Sequence, residues 1–202
     1  MTRHAAPRFI GEIQVSILHI HKLFTSSQGW DALSSAPPSA FKLFVLLVVP
    51  FSLVPPLMLE YAGHHIGVAL FPGTTGMAWS MAALFLLLAE LATVPLMAWA
   101  IKSVARSKGI DSSERESFML AAIVPIPLWL SSLVLFHDQP ILIMAVVSLG
   151  LLASVVLIFR GVQSILKVDE DLVAMDIAYT VTALGLVAWG ALVMLGLVPA
   201  MA

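Results

Sequence analysis

The chain contains no cysteine, which removes a disulfide framework, a thiolate metal site and a cysteine nucleophile, and leaves its redox compartment unreadable. Charge is almost as scarce. Lys and Arg number 10 and Asp and Glu 12 among 202 residues, too few to coat a water-soluble domain of ordinary composition. The formal net charge of −2 offers no basic face for nucleic acid. There is no HExxH, no GxSxG, no phosphate-cradling glycine loop and no pair of intramembrane aspartates. Metalloprotease, serine hydrolase, nucleotide hydrolase and aspartyl intramembrane protease chemistry therefore all lack their parts. No enzymatic activity and no cofactor are expected. No apolar run precedes residue 41, so the core of a secretory signal is missing and the first span must also target the chain. No repeat or low-complexity tract is evident.

What is abundant is apolar surface, 60% of the residues. Five stretches, 41–59, 77–101, 117–136, 140–159 and 177–199, are each long enough to cross a hydrocarbon core of roughly 30 Å at about 1.5 Å per helical residue. The cations outside them alternate strictly. Arg3, Arg8 and Lys22 precede the first span, with Lys42 at its mouth. Lys102, Arg106, Lys108 and Arg115 occupy the second connection, and Arg160 and Lys167 the fourth. The first connection, the third connection and the C-terminus carry none. The positive-inside rule then predicts a multi-pass inner-membrane protein with a cytoplasmic N-terminus and a periplasmic C-terminus. The expected fold is all-α: a five-helix transmembrane bundle with kinked helices over 41–202, preceded by a cytoplasmic segment 1–40.

Within that N-terminal segment, Ile10, Ile13, Ile17, Ile20 and Phe24 recur at three or four residues, with Glu12, Ser16, His19 and Lys22 elsewhere on the wheel. The spacing predicts an amphipathic interfacial helix. It serves either as an anchor or docking surface or as a cover for the cytoplasmic ends of the spans. Ser26-Ser27-Gln28-Gly29 breaks it, and Trp30 suits a headgroup-level anchor. Prolines punctuate the spans at Pro50, Pro55, Pro56, Pro95, Pro125 and Pro127. Each removes a donor and frees a carbonyl that lipid cannot satisfy, so kinked, closely packed helices are expected. The Pro55-Pro56 pair is expected to end or bend the first helix. The third connection, His137-Asp138-Gln139, forces an antiparallel hairpin with Asp138 placed to cap the fourth helix. Gly150, Ser154, Gly185 and Gly190 offer small surfaces for close helix contact.

Three groups are candidates for chemistry. Glu90, inside Leu86-Leu87-Leu88-Ala89-Glu90-Leu91, costs about 2.5 to 3.5 kcal/mol on insertion scales if charged at a helix centre. It is either a proton or cation relay or a neutral hydrogen-bonding group that holds helices together. The absence of a second intramembrane charge favours the latter. Glu60, His64, His65, His137 and Asp138 gather at the other membrane face. They carry the right ligand types for zinc but no ligand spacing, and no tight metal site is expected. Asp169-Glu170-Asp171 with Asp176 is either a solvated entry to the fifth helix or a docking patch for a basic partner.

Taken in order, Lys22-Leu23-Phe24 and the Trp30 segment, Phe44-Val45-Leu46-Leu47-Val48-Val49-Pro50, Val124-Pro125-Ile126-Pro127-Leu128-Trp129-Leu130-Ser131-Ser132-Leu133, and Phe159-Arg160-Gly161-Val162-Gln163 before a final span resemble the five-span Yip-type (Ypt-interacting protein) membrane domain. The likeness is strongest to its small bacterial inner-membrane members. The resemblance implies a cytoplasmic N-terminus, five helices and, in eukaryotic relatives, association with Rab-type GTPases and vesicle traffic. The aspartate-leucine-tyrosine-glycine-type N-terminal motif and the long soluble region of those relatives are missing here, so GTPase binding does not carry over. The expected function is a non-enzymatic scaffold or docking protein with the lipid bilayer and a protein on its cytoplasmic face as partners. The alternative is a small proton- or cation-linked transporter or channel that uses Glu90, and homo-oligomerisation stays open under either.

Overall fold

The computed structural model describes residues 38–168 and 170–201. Five long apolar helical spans carry the fold: α1 Ala40–Gly67, α2 Gly76–Ser107, α3 Glu114–Phe136, α4 Pro140–Ile165 and α5 Asp171–Gly196. There is no strand among the described residues. Large apolar side chains face outward at the middle of the spans, among them Leu88, Leu96, Leu149, Leu152 and Val187. In water such a surface would aggregate, whereas in hydrocarbon it is the solvated face. The chain is an integral membrane protein with an all-α bundle. The amphipathic stripe Ile10, Ile13, Ile17, Ile20 and Phe24, and Trp30, lie outside the described residues.

Helices α2, α3, α4 and α5 form a ring in which each packs on its two neighbours, and α1 lies in the groove between α2 and α3. The cation-bearing end of the ring is packed solid. Ile101, Met119, Leu120, Val162, Ile165 and Ile177 are all at most 1% exposed. Phe44 of α1 packs on Phe118 of α3 here, with ring centroids 6.5 Å apart. The start of α3 is fixed by a reciprocal cap. Glu116 N–H donates to Ser113 Oγ at 3.2 Å, and Ser113 N–H donates to Glu116 Oε2 at 2.8 Å, which satisfies two otherwise orphaned donors. At the end of α2, Gly109 takes φ +79°, and Ile110 N–H returns to Ala105 O at 3.0 Å. A side chain would strain this left-handed turn.

Proline shapes α1 and α3. In α1 a π-helical turn, Phe44–Val48, leads into Pro50, whose ring has no N–H for the Leu46 carbonyl, and the wider turn makes room for it. The Pro55-Pro56 pair does not end α1. The ladder breaks at Leu53, and the helix restarts over Val54–Ala62 with the prolines in its first turn, where their missing N–H groups cost least. In α3 the break falls at Val124-Pro125. The hydroxyls of Ser131 and Ser132 then donate to the carbonyls of Leu128 and Trp129, each at 2.6 Å. Helix α4 begins after Gln139, which holds the N-cap position in extended conformation without a side-chain cap bond, so Asp138 does not cap it.

The four glycine and serine positions read alike from sequence divide in the structure. A Cβ on Gly150 would lie 2.8 Å from Ser131 Cβ and 3.0 Å from Pro127 O, so α3 and α4 meet there backbone to backbone. Gly185 and Gly190 have nothing within 4 Å of such an atom. Ser154 is 5% exposed. At the cation-free end the ring of Trp79 lies directly on Gly63 and Gly67, where an added Cβ would come within 2.5 and 2.7 Å of it.

Candidate functional site

Helix α2 turns one stripe to the ring interior, Leu86, Glu90, Thr93, Val94, Met97 and Ile101, at the three-and-four spacing of a single helix face. The stripe borders a cavity of about 580 Å³ to which all five spans contribute. That size lies within the range of small-molecule sites, about 300–1,000 Å³. Pro55 and Leu59 of α1 close it behind the ring. Trp129 of α3, which follows the break at Pro125, lines it together with Glu90. Glu90 itself is 5% exposed, and its Oε2 has no hydrogen-bond partner. Its hydroxyl-bearing neighbours differ in kind. Thr93 donates to Ala89 O at 2.7 Å, while Ser154 Oγ of α4 and Thr182 Oγ1 of α5 are buried with no partner. No Lys, Arg or His lines the cavity. The polar groups of the lining are one carboxyl, hydroxyls and two indoles. What the lining can do is hydrogen-bond.

The cation-free end brings together only part of the cluster anticipated there. Helix α1 continues past Leu59, so Glu60 and His64 share a face. His64 Nε2 lies 3.0 Å from Glu60 Oε1, and Ser80 of α2 donates to the same oxygen at 2.7 Å. His65 turns away: its Nδ1 is 2.8 Å from Tyr61 O and its ring stacks on Tyr61 at 4.1 Å. His137 and Asp138 lie in the α3–α4 hairpin and join neither Glu60 nor His64. No group of three or more His, Cys, Asp or Glu among the described residues is placed to hold a metal ion. The Glu60–His64–Ser80 set is a latch between α1 and α2.

The opposite end collects the cations. Lys102 pairs with Glu114 at 3.0 Å, Lys167 with Glu116 at 3.7 Å, and Lys108 with Asp176. These pairs tie α2 to α3, the α4–α5 connection to α3, and α2 to α5. Being largely exposed, each is worth about 0–1 kcal/mol, so they set register more than stability. Arg106, Arg115 and Arg160 are exposed and unpaired among the described residues. Of the acidic run, Asp171 sits in the first turn of α5, where a carboxylate suits the helix dipole. Asp169 lies outside the described residues.

Of the cavity's polar groups, sequence reasoning found Glu90 and gave Ser154 a packing role, but missed Trp129 and Thr182. A carboxyl in an apolar run is a strong signal. A serine or threonine there is weak, since it ordinarily donates to the carbonyl one turn back, and only the fold reveals which ones do not. Against known proteins, the Yip1 domain family model matches residues 21–192. No curated protein and no solved structure matches the chain.

Proposed function

The chain belongs to the Yip1 domain family, and on that premise we propose that it is a non-catalytic inner-membrane protein that docks a protein partner on its cytoplasmic face. The cation-bearing end is the cytoplasmic one by the positive-inside rule, which puts the C-terminus in the periplasm. The observation that carries the docking reading is the packing of that end. Residues such as Ile101, Val162, Ile165 and Ile177, at most 1% exposed, make a rigid plug. Lysine–carboxylate pairs lie along its rim, and Arg106, Arg115 and Arg160 face out at the same end as the exposed carboxylates of Asp111, Glu170 and Asp171. A rigid, preorganised face with charges of both signs suits recognition of a partner with a complementary charge pattern. It also blocks the route that a solute would need from the cavity to the cytoplasm.

The cavity's contact with Glu90 favours a second reading, a small proton- or cation-linked transporter. One experiment separates the two. Photo-crosslinking residues at Arg115, Arg160 and His137 are expected to trap a protein in native membranes from the first two positions only, and reconstituted vesicles to show no proton or cation flux above protein-free controls. Flux that Glu90→Gln abolishes would replace docking by transport.

A further inference from the structure

Hydrocarbon offers no hydrogen bonds, so a buried polar atom in a span either finds a protein partner or marks a place for something else. Hydroxyls in these spans generally use the nearest backbone carbonyl. Thr93 reaches Ala89 O at 2.7 Å, Ser103 reaches Trp99 O at 2.8 Å and Thr180 reaches Asp176 O at 2.9 Å. Ser154 and Thr182 do not, and with Glu90 Oε2 they are unpartnered. These three atoms come from α2, α4 and α5, and all three residues line the one cavity. Glu90 and Ser154 are each 5% exposed, so solvent outside the protein does not serve them.

The shape indicates where an occupant enters. Helices α4 and α5 touch toward the cation-bearing end, where Phe159 and Tyr179 meet edge to face at 5.1 Å. Toward the other end they part. Gly185 lines the cavity with open space beside it, and the lining residues Met144 and Val193 are 70% and 38% exposed at the outer surface. The cavity therefore opens toward the cation-free end, where α4 and α5 part. The chemistry selects further. A phosphate or ammonium headgroup would lose its hydration at this depth, at a cost of several kcal/mol, and no cationic side chain waits for a phosphate. A small uncharged group that both donates and accepts suits a carboxyl and two hydroxyls.

We propose that this cavity binds one molecule of a neutral, hydroxyl-bearing membrane lipid, which enters between α4 and α5 with its hydroxyl against Glu90, Ser154 and Thr182 and its apolar chain along the Leu, Val and Met lining. The test uses the full chain in phosphatidylcholine nanodiscs doped with diacylglycerol carrying a photoreactive acyl chain, with peptide mapping of the adducts. Saturable labelling of the α5 segment around Gly185 is expected, competed by unlabelled diacylglycerol and absent with a photoreactive phosphatidylcholine. Thr182→Val, nearly isosteric, is expected to weaken apparent affinity roughly five-fold, the scale of one hydrogen bond in a membrane protein. Gly185→Phe, which enters open space, is expected to abolish labelling with the helical circular dichroism retained. Labelling that does not saturate, that phosphatidylcholine reproduces, or that Thr182→Val leaves unchanged would mean that bulk acyl chains or water fill the cavity and would overturn the proposal. Because Thr182→Val disturbs no packing volume, the test holds even where Gly185→Phe fails to fold.

Discussion

Replacing Gly150 and Gly190 by alanine, one at a time, separates backbone packing from helix propensity. Both glycines sit inside helices, so both replacements recover the same propensity, about 1 kcal/mol. At Gly190 nothing opposes it, and Gly190→Ala is expected to stabilise by about 0–1 kcal/mol. At Gly150 the new methyl would lie 2.8 Å from Ser131 Cβ and 3.0 Å from the Pro127 carbonyl oxygen. Neither can swing aside. One is backbone, and the other belongs to a serine whose hydroxyl already donates to Leu128 O at 2.6 Å. The helices must part along their length, an overpacking cost of about 1–3 kcal/mol. The propensity term cancels between the variants, so their difference isolates that cost, with Gly150→Ala the less stable. Unfolding by sodium dodecyl sulphate in mixed micelles, followed by tryptophan fluorescence, measures it. Equal stabilities, or a more stable Gly150→Ala, would refute the backbone contact between α3 and α4.

Three more outcomes are expected. Reporter fusions at Gly73 and Ala202 read as periplasmic and a fusion at Gly109 as cytoplasmic; a periplasmic signal at Gly109 would end the assigned orientation. Glu90→Gln, which keeps a hydrogen-bonding side chain of the same size, leaves stability in detergent nearly unchanged, while Glu90→Leu costs on the order of 1 kcal/mol; equal losses would show that charge and not hydrogen bonding matters at this site. Ile13→Glu with Ile17→Glu releases the N-terminal segment and weakens recovery of the cross-linked partner with all spans still inserted; full recovery from a released segment would remove that surface from docking.

Five spans were legible because an apolar run is a one-dimensional property. Their ends were less so. Helix α1 reaches Gly67 instead of stopping at residue 59, since Glu60 and His64 satisfy each other one turn apart and hydropathy counts them only as polar. Helix α5 starts at Asp171 instead of residue 177 for a similar reason: Asp176, a poor membrane residue, lies where Lys108 meets it. Gly150, Gly185 and Gly190 look alike in sequence because glycine permits close approach without specifying a neighbour. The cavity was illegible altogether. A void is a property of how helices splay, and the two hydroxyls that identify it resemble every hydroxyl that bonds to its own helix.

The sparse connections at the cation-free end also bear on how the protein is made. In the proposed orientation residues 71–75 and 137–139 cross the bilayer during insertion; they hold one formally charged side chain between them, Asp138, with Glu60 nearby on α1, and residues 197–202 hold none. The polar mass, including every lysine and arginine of the second and fourth connections, never has to cross. Insertion can therefore proceed as successive hairpins, α1 with α2 and α3 with α4, whose tips carry little desolvation cost, followed by α5 alone. The same feature limits what can be grafted on. A tag or reporter inserted at 137–139 adds a polar load that the native hairpin was never built to move, whereas one at 108–113 stays on the side where synthesis began.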